Sequence, residues 1–201
     1  MRPWLVIPVK SLDSGKSRLA SVLSTAGRRA LNEQLLHRVL KVATRFPGVR
    51  RTVVISRCAG ALQLAERYGA GTIRERGTDG LNAAAAQALR SLRRSGAGAV
   101  MVAACDLPRM RAADLAALAR RGARRTRTLL LCPDESGTGT NALYICRGSS
   151  LRFRFGKDSM RRHQREAERR GLAVELYANA RIAADIDNAT QWRRWRKRPR
   201  R

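Results

Sequence analysis

The sequence predicts an α/β fold: a mostly parallel sheet covered by helices on both faces. Short apolar runs of strand length alternate with helical periodicity along the chain. Each apolar run reads as a buried strand, as parallel strands between two helical layers are. No repeat and no long linker divides the 201 residues, a length that fits one domain with a substantial core.

The elements follow in order. "WLVIPV" from Trp4 to Val9 is the first strand. Leu31, Leu35, Leu36, Val39, Leu40, Val42 and Ala43 recur at three- and four-residue steps, so 17–46 reads as a helix stopped by Pro47-Gly48. "RTVVIS" (51–56) is a strand, 59–68 a short helix ending at Gly69, and Gly71 to Arg74 a short strand. The Ala/Leu/Arg-rich stretch 80–95 is helical. "AGAVMVAACDLP" runs from a central strand into a turn at Pro108, and a helix covers about 112–123. "TRTLLLC" and "ALYIC" are strands on either side of a polar, Gly-rich loop at 133–141. A helix over 159–170 stops before Gly171, "LAVELY" is the last strand, and a helix after "DID" leads into "RRWRKRPRR". The domain is therefore expected to span 1–192, with a basic C-terminal tail at 193–201.

Composition narrows the partners. There are 42 Lys and Arg against 15 Asp and Glu, a formal net charge of +27. Such a charge draws polyanions. The arginines spread along the chain rather than forming one block, which fits a solvated basic surface. Cys58, Cys105, Cys132 and Cys146 lack zinc-site spacing, and Cys105 and Cys132 lie in apolar runs as buried small hydrophobes. The expected location is the reducing cytoplasm, with neither signal peptide nor membrane helix.

In parallel sheets the chemistry sits in loops beyond the carboxyl ends of strands. The first such loop is "KSLDSGKSR" (10–18). It looks like a P-loop, but a P-loop needs a glycine where this chain has Lys10. It still lies between a strand and a helix and carries Lys10, Lys16 and Arg18, a composition suited to a triphosphate. Asp106 of "CDLP" ends an apolar strand, where a carboxylate suits a magnesium ion on phosphates, or a turn. Asp185 and Asp187 of "DID" project to the same side of an extended chain and can converge on a divalent cation while Ile186 packs inward. "DESGTGTNAL" and "RFGKDS" read as two anion-binding loops, each of which is also compatible with an ordinary turn. His163, mid-helix among arginines, reads as a surface or capping residue, and His37 as structural.

"VIPVKSLDSGKSRLA", "DGLNAA", "CDLP", "DESGTGTNAL", "FRFGKDSMRRH" and "DID", in that order, resemble the CofC/FbiD family of guanylyltransferases of coenzyme F-420 biosynthesis. The resemblance covers about residues 3 to 190. It implies a three-layer αβα nucleotidyltransferase fold of the nucleotide-diphospho-sugar transferase type. It implies transfer from GTP to 2-phospho-L-lactate, phosphoenolpyruvate or 3-phospho-D-glycerate, with release of pyrophosphate. By the same resemblance Lys10, Lys16, Arg18, Gly80 and Asn82 bind the nucleotide, with Lys16, Arg18 and Asp106 at the reaction centre. Asp106, Asp185 and Asp187 hold Mg²⁺, and Thr140, Gly156 and Ser159 hold the phospho-acid. A downstream transferase accepting a labile product is an expected partner. Two departures stand out: "DIDNATQW" replaces the family's usual "DIDTPxDL", and Asp158 takes a place often held by Gly. The alternatives are a basic nucleic-acid-binding protein, which lacks a binding motif and aromatic stacking residues here, or a same-fold transferase with another base or acceptor.

Overall fold

The computed structural model describes residues 2–13, 15–77 and 80–197. Seven strands form one sheet in the order β3-β2-β1-β4-β6-β5-β7. β1 (Trp4–Pro8) pairs in parallel with β2 (Thr52–Ser56) and β4 (Val100–Ala103), and β2 with β3 (Gly71–Arg74). β5 (Thr128–Pro133) is parallel to β7 (Ala173–Leu176), whereas β6 (Thr140–Ile145) is antiparallel to both β4 and β5. The reversal follows from connection length. Residues 134–139 are too few for a parallel crossover, which needs about a dozen residues, so β5 and β6 meet as a hairpin. Thr140, which opens β6, therefore lies at the edge where the other strands end.

Successive residues of β1 face opposite layers. Leu5 and Ile7 join α1 (Thr25–Arg45), α2 (Ala59–Arg67) and α4 (Ala112–Ala123) in one core through Leu36, Leu40, Leu64 and Leu118. Val6 joins α3 (Leu81–Arg94) and α5 (Ser159–Arg169) in the other, with Leu89 and Met160. A third, smaller cluster of Leu19, Leu31, Leu35 and Ile186 receives Trp192 and Trp195 of α7 (Ala189–Arg196).

Three expectations change. The first long helix starts at Thr25, because the Ser24 side chain accepts from the Gly27 N–H and caps it there; residues 17–19 form a 3-10 turn. A short helix, α6 (Ala180–Ala183), is added before "DID", capped by the Asn179 side chain. Four residues are too few to leave a periodic pattern. The stretch expected as a tail from Arg193 is helical through Arg196 and packs Trp195 on the core, while 198–201 lie outside the described residues.

Candidate active site

The chain leaves β1 towards β2 and β3, then returns on the other side as β4. The carboxyl ends of β1 and β4 thus flank the point where strand order reverses, the place where open α/β sheets bind ligands. The loop after β1 brings Lys16, the turn after β4 brings Asp106, and the segment before α7 brings Asp187. Lys16 Nζ donates to Asp106 and, at 2.9 Å, to Asp187 Oδ1. Burial disfavours its charge, but the two carboxylates outweigh burial and raise its pKa above the ordinary lysine value.

The loop is shaped by packing rather than by P-loop geometry. Asn32 of α1 donates to the Leu12 carbonyl at 2.8 Å, and Leu12 is buried. Gly15 lies against the same amide: a Cβ there would meet Asn32 Nδ2 at 2.8 Å. Lys16 then takes a left-handed backbone (φ 63°, ψ 37°), costly for a residue with a Cβ, and this aims its side chain inward. The Ser14 position lies outside the described residues.

Asp185 lies near this triad but bonds elsewhere. Its Oδ1 accepts from Gln191 Nε2 at 2.7 Å, while Gln191 Oε1 accepts from the Asp187 and Asn188 N–H groups. Burial, then repulsion from Asp187 and Asp106, pushes its pKa up to about 7. Ile186 between them is fully buried, as expected. Of the three carboxylates expected on one cation, Asp106 and Asp187 pair with the Lys16 ammonium, and among the described residues no group of three metal-ligating side chains forms. Asp106 and Asp187 nonetheless share one cationic atom, and hard carboxylate oxygens so placed suit magnesium, which commonly takes one or two carboxylates with phosphate oxygens. Cys105 beside them is no nucleophile, since burial and the Asp106 charge push its thiol up to about 12.

The remaining nucleotide candidates divide. Arg18 is exposed and lines a cavity with Asp134, Glu135, Asp185, Asn188 and Arg194. Lys10 is exposed beyond β1. Gly80 precedes α3 with φ 124°, a conformation that favours glycine, and Asp79 lies outside the described residues. Asn82 is occupied: its amide donates to the Phe155 carbonyl at 3.1 Å and accepts from the Phe155 N–H at 2.7 Å. It ties the start of α3 to the chain just before Gly156, a bond between the nucleotide and acid candidates that sequence spacing does not reveal.

The acid candidates converge. Gly156 has φ 113° and its carbonyl accepts from the Ser159 N–H, opening α5. The Met160 N–H donates to the Thr138 carbonyl, joining the two anion loops at 3.0 Å. Ser159 Oγ and Thr140 Oγ1 are 3.2 Å apart, and both residues are buried. Asp158 takes the left-handed conformation (φ 53°, ψ 33°) that explains a glycine at this place; Asp is among the residues that tolerate it. His163 contradicts its surface reading. It is fully buried, with the Arg154 N–H against Nε2 and the Phe155 ring packed edge-on to it. His37, in contrast, is structural as expected, with Nδ1 3.0 Å from the Tyr68 hydroxyl. "DIDNATQW" also resolves: Asn188 accepts from the Gln191 N–H and forms a capping box that starts α7.

Comparison with known proteins adds the ancestry. Residues 4–193 match the family described as "Guanylyl transferase CofC like". A phosphoenolpyruvate guanylyltransferase of Rubrobacter xylanophilus is 38% identical over 188 residues, covering 94% of this chain and 90% of that protein. One of Conexibacter woesei is 35% identical over 187 residues, covering 93% and 84%. Among solved structures, a putative nucleotide-diphospho-sugar transferase from Desulfovibrio desulfuricans G20 superposes with a TM-score of 0.76 at 15% identity, covering 92% of this chain and 82% of that one. Molybdopterin-guanine dinucleotide biosynthesis protein A from Archaeoglobus fulgidus superposes with a TM-score of 0.56 at 18% identity, covering 94% and 95%. These structures show the nucleotide-diphospho-sugar transferase fold that the family resemblance implied. With a family match across nearly the whole chain and relatives aligned end to end, the chain belongs to the CofC-like guanylyl transferase family.

Proposed function

We propose that the protein transfers a guanylyl group from GTP to a phosphorylated three-carbon acid, with phosphoenolpyruvate as the leading acceptor, in coenzyme F-420 biosynthesis. The observation that carries this reading is the Lys16–Asp106–Asp187 centre at the strand-reversal point, in a chain whose relatives bear the name phosphoenolpyruvate guanylyltransferase. A phosphate oxygen of the acid attacks the α-phosphorus of GTP. The new P–O bond forms as the bond from the α-phosphorus to the β-phosphate oxygen breaks, and pyrophosphate leaves. No protein nucleophile is needed.

The protein's work is positioning and charge. Lys16 brings a desolvated positive charge to the centre, where it is worth more than in water. Arg18, exposed in the adjoining cavity, meets the entering triphosphate. Thr140, Gly156 and Ser159 receive the acid on the neighbouring β6–α5 edge. Asp106 and Asp187, with Asp185 close by, would hold a magnesium ion, which would supply further charge neutralisation on the phosphates.

The test is pyrophosphate release by the purified protein with each of four nucleoside triphosphates against phosphoenolpyruvate, 2-phospho-L-lactate and 3-phospho-D-glycerate, with and without Mg²⁺. Release is expected with GTP, Mg²⁺ and one of these acids together. Supplying the downstream transferase traps a labile product. Turnover with CTP or ATP alone would move the protein to another transferase of the same fold.

A further inference from the structure

His163 is fully buried, yet neither the sequence reading nor the mechanism above uses it. Its two ring nitrogens have different partners. Nε2 lies 2.9 Å from the Arg154 backbone nitrogen, and Nδ1 lies 3.2 Å from Thr140 Oγ1. A backbone N–H can only donate, so Nε2 must carry the lone pair. Burial, with Arg162 and Arg154 nearby, holds the imidazole pKa down to about 4, so the ring is neutral at physiological pH. A neutral ring with a lone pair on Nε2 carries its hydrogen on Nδ1. That hydrogen faces Thr140 Oγ1 at 3.2 Å and also the Ser159 backbone, whose hydrogen bond to the ring favours an N–H there.

The consequence passes to the hydroxyls. Thr140 Oγ1 has two lone pairs and one hydrogen. One lone pair takes the imidazole N–H, and the other takes the Ser159 hydroxyl at 3.2 Å. The Thr140 hydrogen is then left over from both of these contacts. If instead Thr140 donates to Ser159, the Ser159 hydrogen is the one left over. In both arrangements the buried trio is left with one hydroxyl donor. The opposite tautomer would reverse this, drawing the Thr140 hydrogen back onto the ring.

We propose that His163 is a positioning residue for the acid acceptor: its Nδ1–H sets the polarity of the Thr140–Ser159 pair so that the site presents a hydroxyl donor to an anion whose oxygens only accept. This rests on the assignment of the β6–α5 edge to the phospho-acid. The backbone at Arg154 sets the tautomer, and Phe155, packed edge-on to the ring with centroids 4.9 Å apart, holds its plane.

Two measurements test it. Long-range ¹H–¹⁵N spectra of the full chain read the tautomer without any ligand: the Nδ1–H form is expected, and the Nε2–H form would overturn the proposal even if every variant were inactive. Steady-state kinetics of His163→Leu, His163→Asn and Thr140→Val with phosphoenolpyruvate and GTP read the consequence. His163→Leu should raise the KM for the acid about tenfold, the equivalent of one lost interaction of about 1.4 kcal/mol, with the KM for GTP unchanged. His163→Asn, which can place an amide N–H at the Nδ1 position, should restore most of the loss. In a Thr140→Val background His163→Leu should add almost nothing. Equal shifts in both KM values, or a full further loss on Thr140→Val, would show a merely structural histidine. Absence of wild-type turnover with all three acids overturns the assigned reaction and this inference together, whereas wild-type turnover with an unaltered acid KM in His163→Leu overturns this inference alone.

Discussion

Lys16 joins a left-handed backbone to a buried ammonium shared by two carboxylates. Removing it strips a charge from the reaction centre and leaves Asp106 and Asp187 facing each other uncompensated. Lys16→Ala should lower turnover about a hundredfold or more, the equivalent of about 2.7 kcal/mol of transition-state stabilisation, at both low and moderate ionic strength. Asp106→Asn and Asp187→Asn should each cost about the same while thermal melts still show a folded protein. A near-wild-type rate in either Asn variant would remove that residue from the centre. His163 makes a second residue-scale prediction. Its folded pKa of about 4 lies below the ordinary value of 6.5, so protons bind the unfolded state preferentially between these two. Its contribution is complete above pH 6.5 and falls as pH drops towards 4, by about 1.4 kcal/mol per pH unit. Burial drives the shift; the Ser159 backbone hydrogen bond and then Glu166 oppose it, while Arg162 and Arg154 reinforce it. Urea unfolding of wild type and His163→Asn between pH 4 and 6.5 should therefore give curves of different slope, steeper for wild type.

The C-terminal helix is the element whose role differs most from the expected solvated tail. Asn188 caps it, Gln191 bonds to both aspartates' segment and to Asp185 itself, and Trp192 and Trp195 pack with Leu19, Leu31, Leu35 and Ile186. Arg194 also pairs with Glu135 of the β5–β6 loop at 2.9 Å. The helix thus holds "DID" against the loop that carries Lys16. Asn188→Ala should cost about 1 kcal/mol, the usual value of a lost N-cap, and lower turnover as well, because the cap lies next to Asp187. Truncation separates helix from tail: removing 197–201 should leave melting temperature and catalytic constants unchanged, whereas removing 193–201 takes away Trp195 and should lower both. Equal behaviour of the two truncations in differential scanning calorimetry and the pyrophosphate assay would mean that α7 does not support the site.

For the whole molecule the dominant feature is charge. A net +27 on 201 residues raises the local concentration of anionic substrates over the surface, but mobile ions screen it within about 8 Å at physiological salt. The more enclosed Lys16–Asp106 pair is screened less. Raising salt from 20 to 150 mM should accordingly lower kcat/KM for GTP severalfold while kcat stays nearly constant; about threefold is expected from surface steering alone. A matching fall in kcat would mean that salt reaches the buried centre.

Periodicity and punctuation made the elements legible, because each depends on a few neighbouring residues. The strand expected over Trp4–Val9 forms over Trp4–Pro8, and the stops at Pro47-Gly48 and Gly69 and the turn at Pro108 stand where the sequence placed them. The order of the loops marked Lys16, Asp106 and Asp187 as candidates for one site, since the ends of parallel strands share an edge. Tertiary structure alone decided what those residues touch. Lys16 and Asp187 are 171 positions apart, and the pairing depends on β4 returning beside β1 and on α7 docking against the opening loop. The same holds for Asn82 with Phe155, Asp185 with Gln191, and His163 with Thr140. His163 looked exposed because its neighbours on α5 are arginines, but burial is set by which helix face meets the sheet and by the Arg154–Phe155 segment packed against it. A local pattern reports the face a residue occupies on its own element, whereas its hydrogen-bond partners come from elements that the fold brings in from elsewhere in the chain.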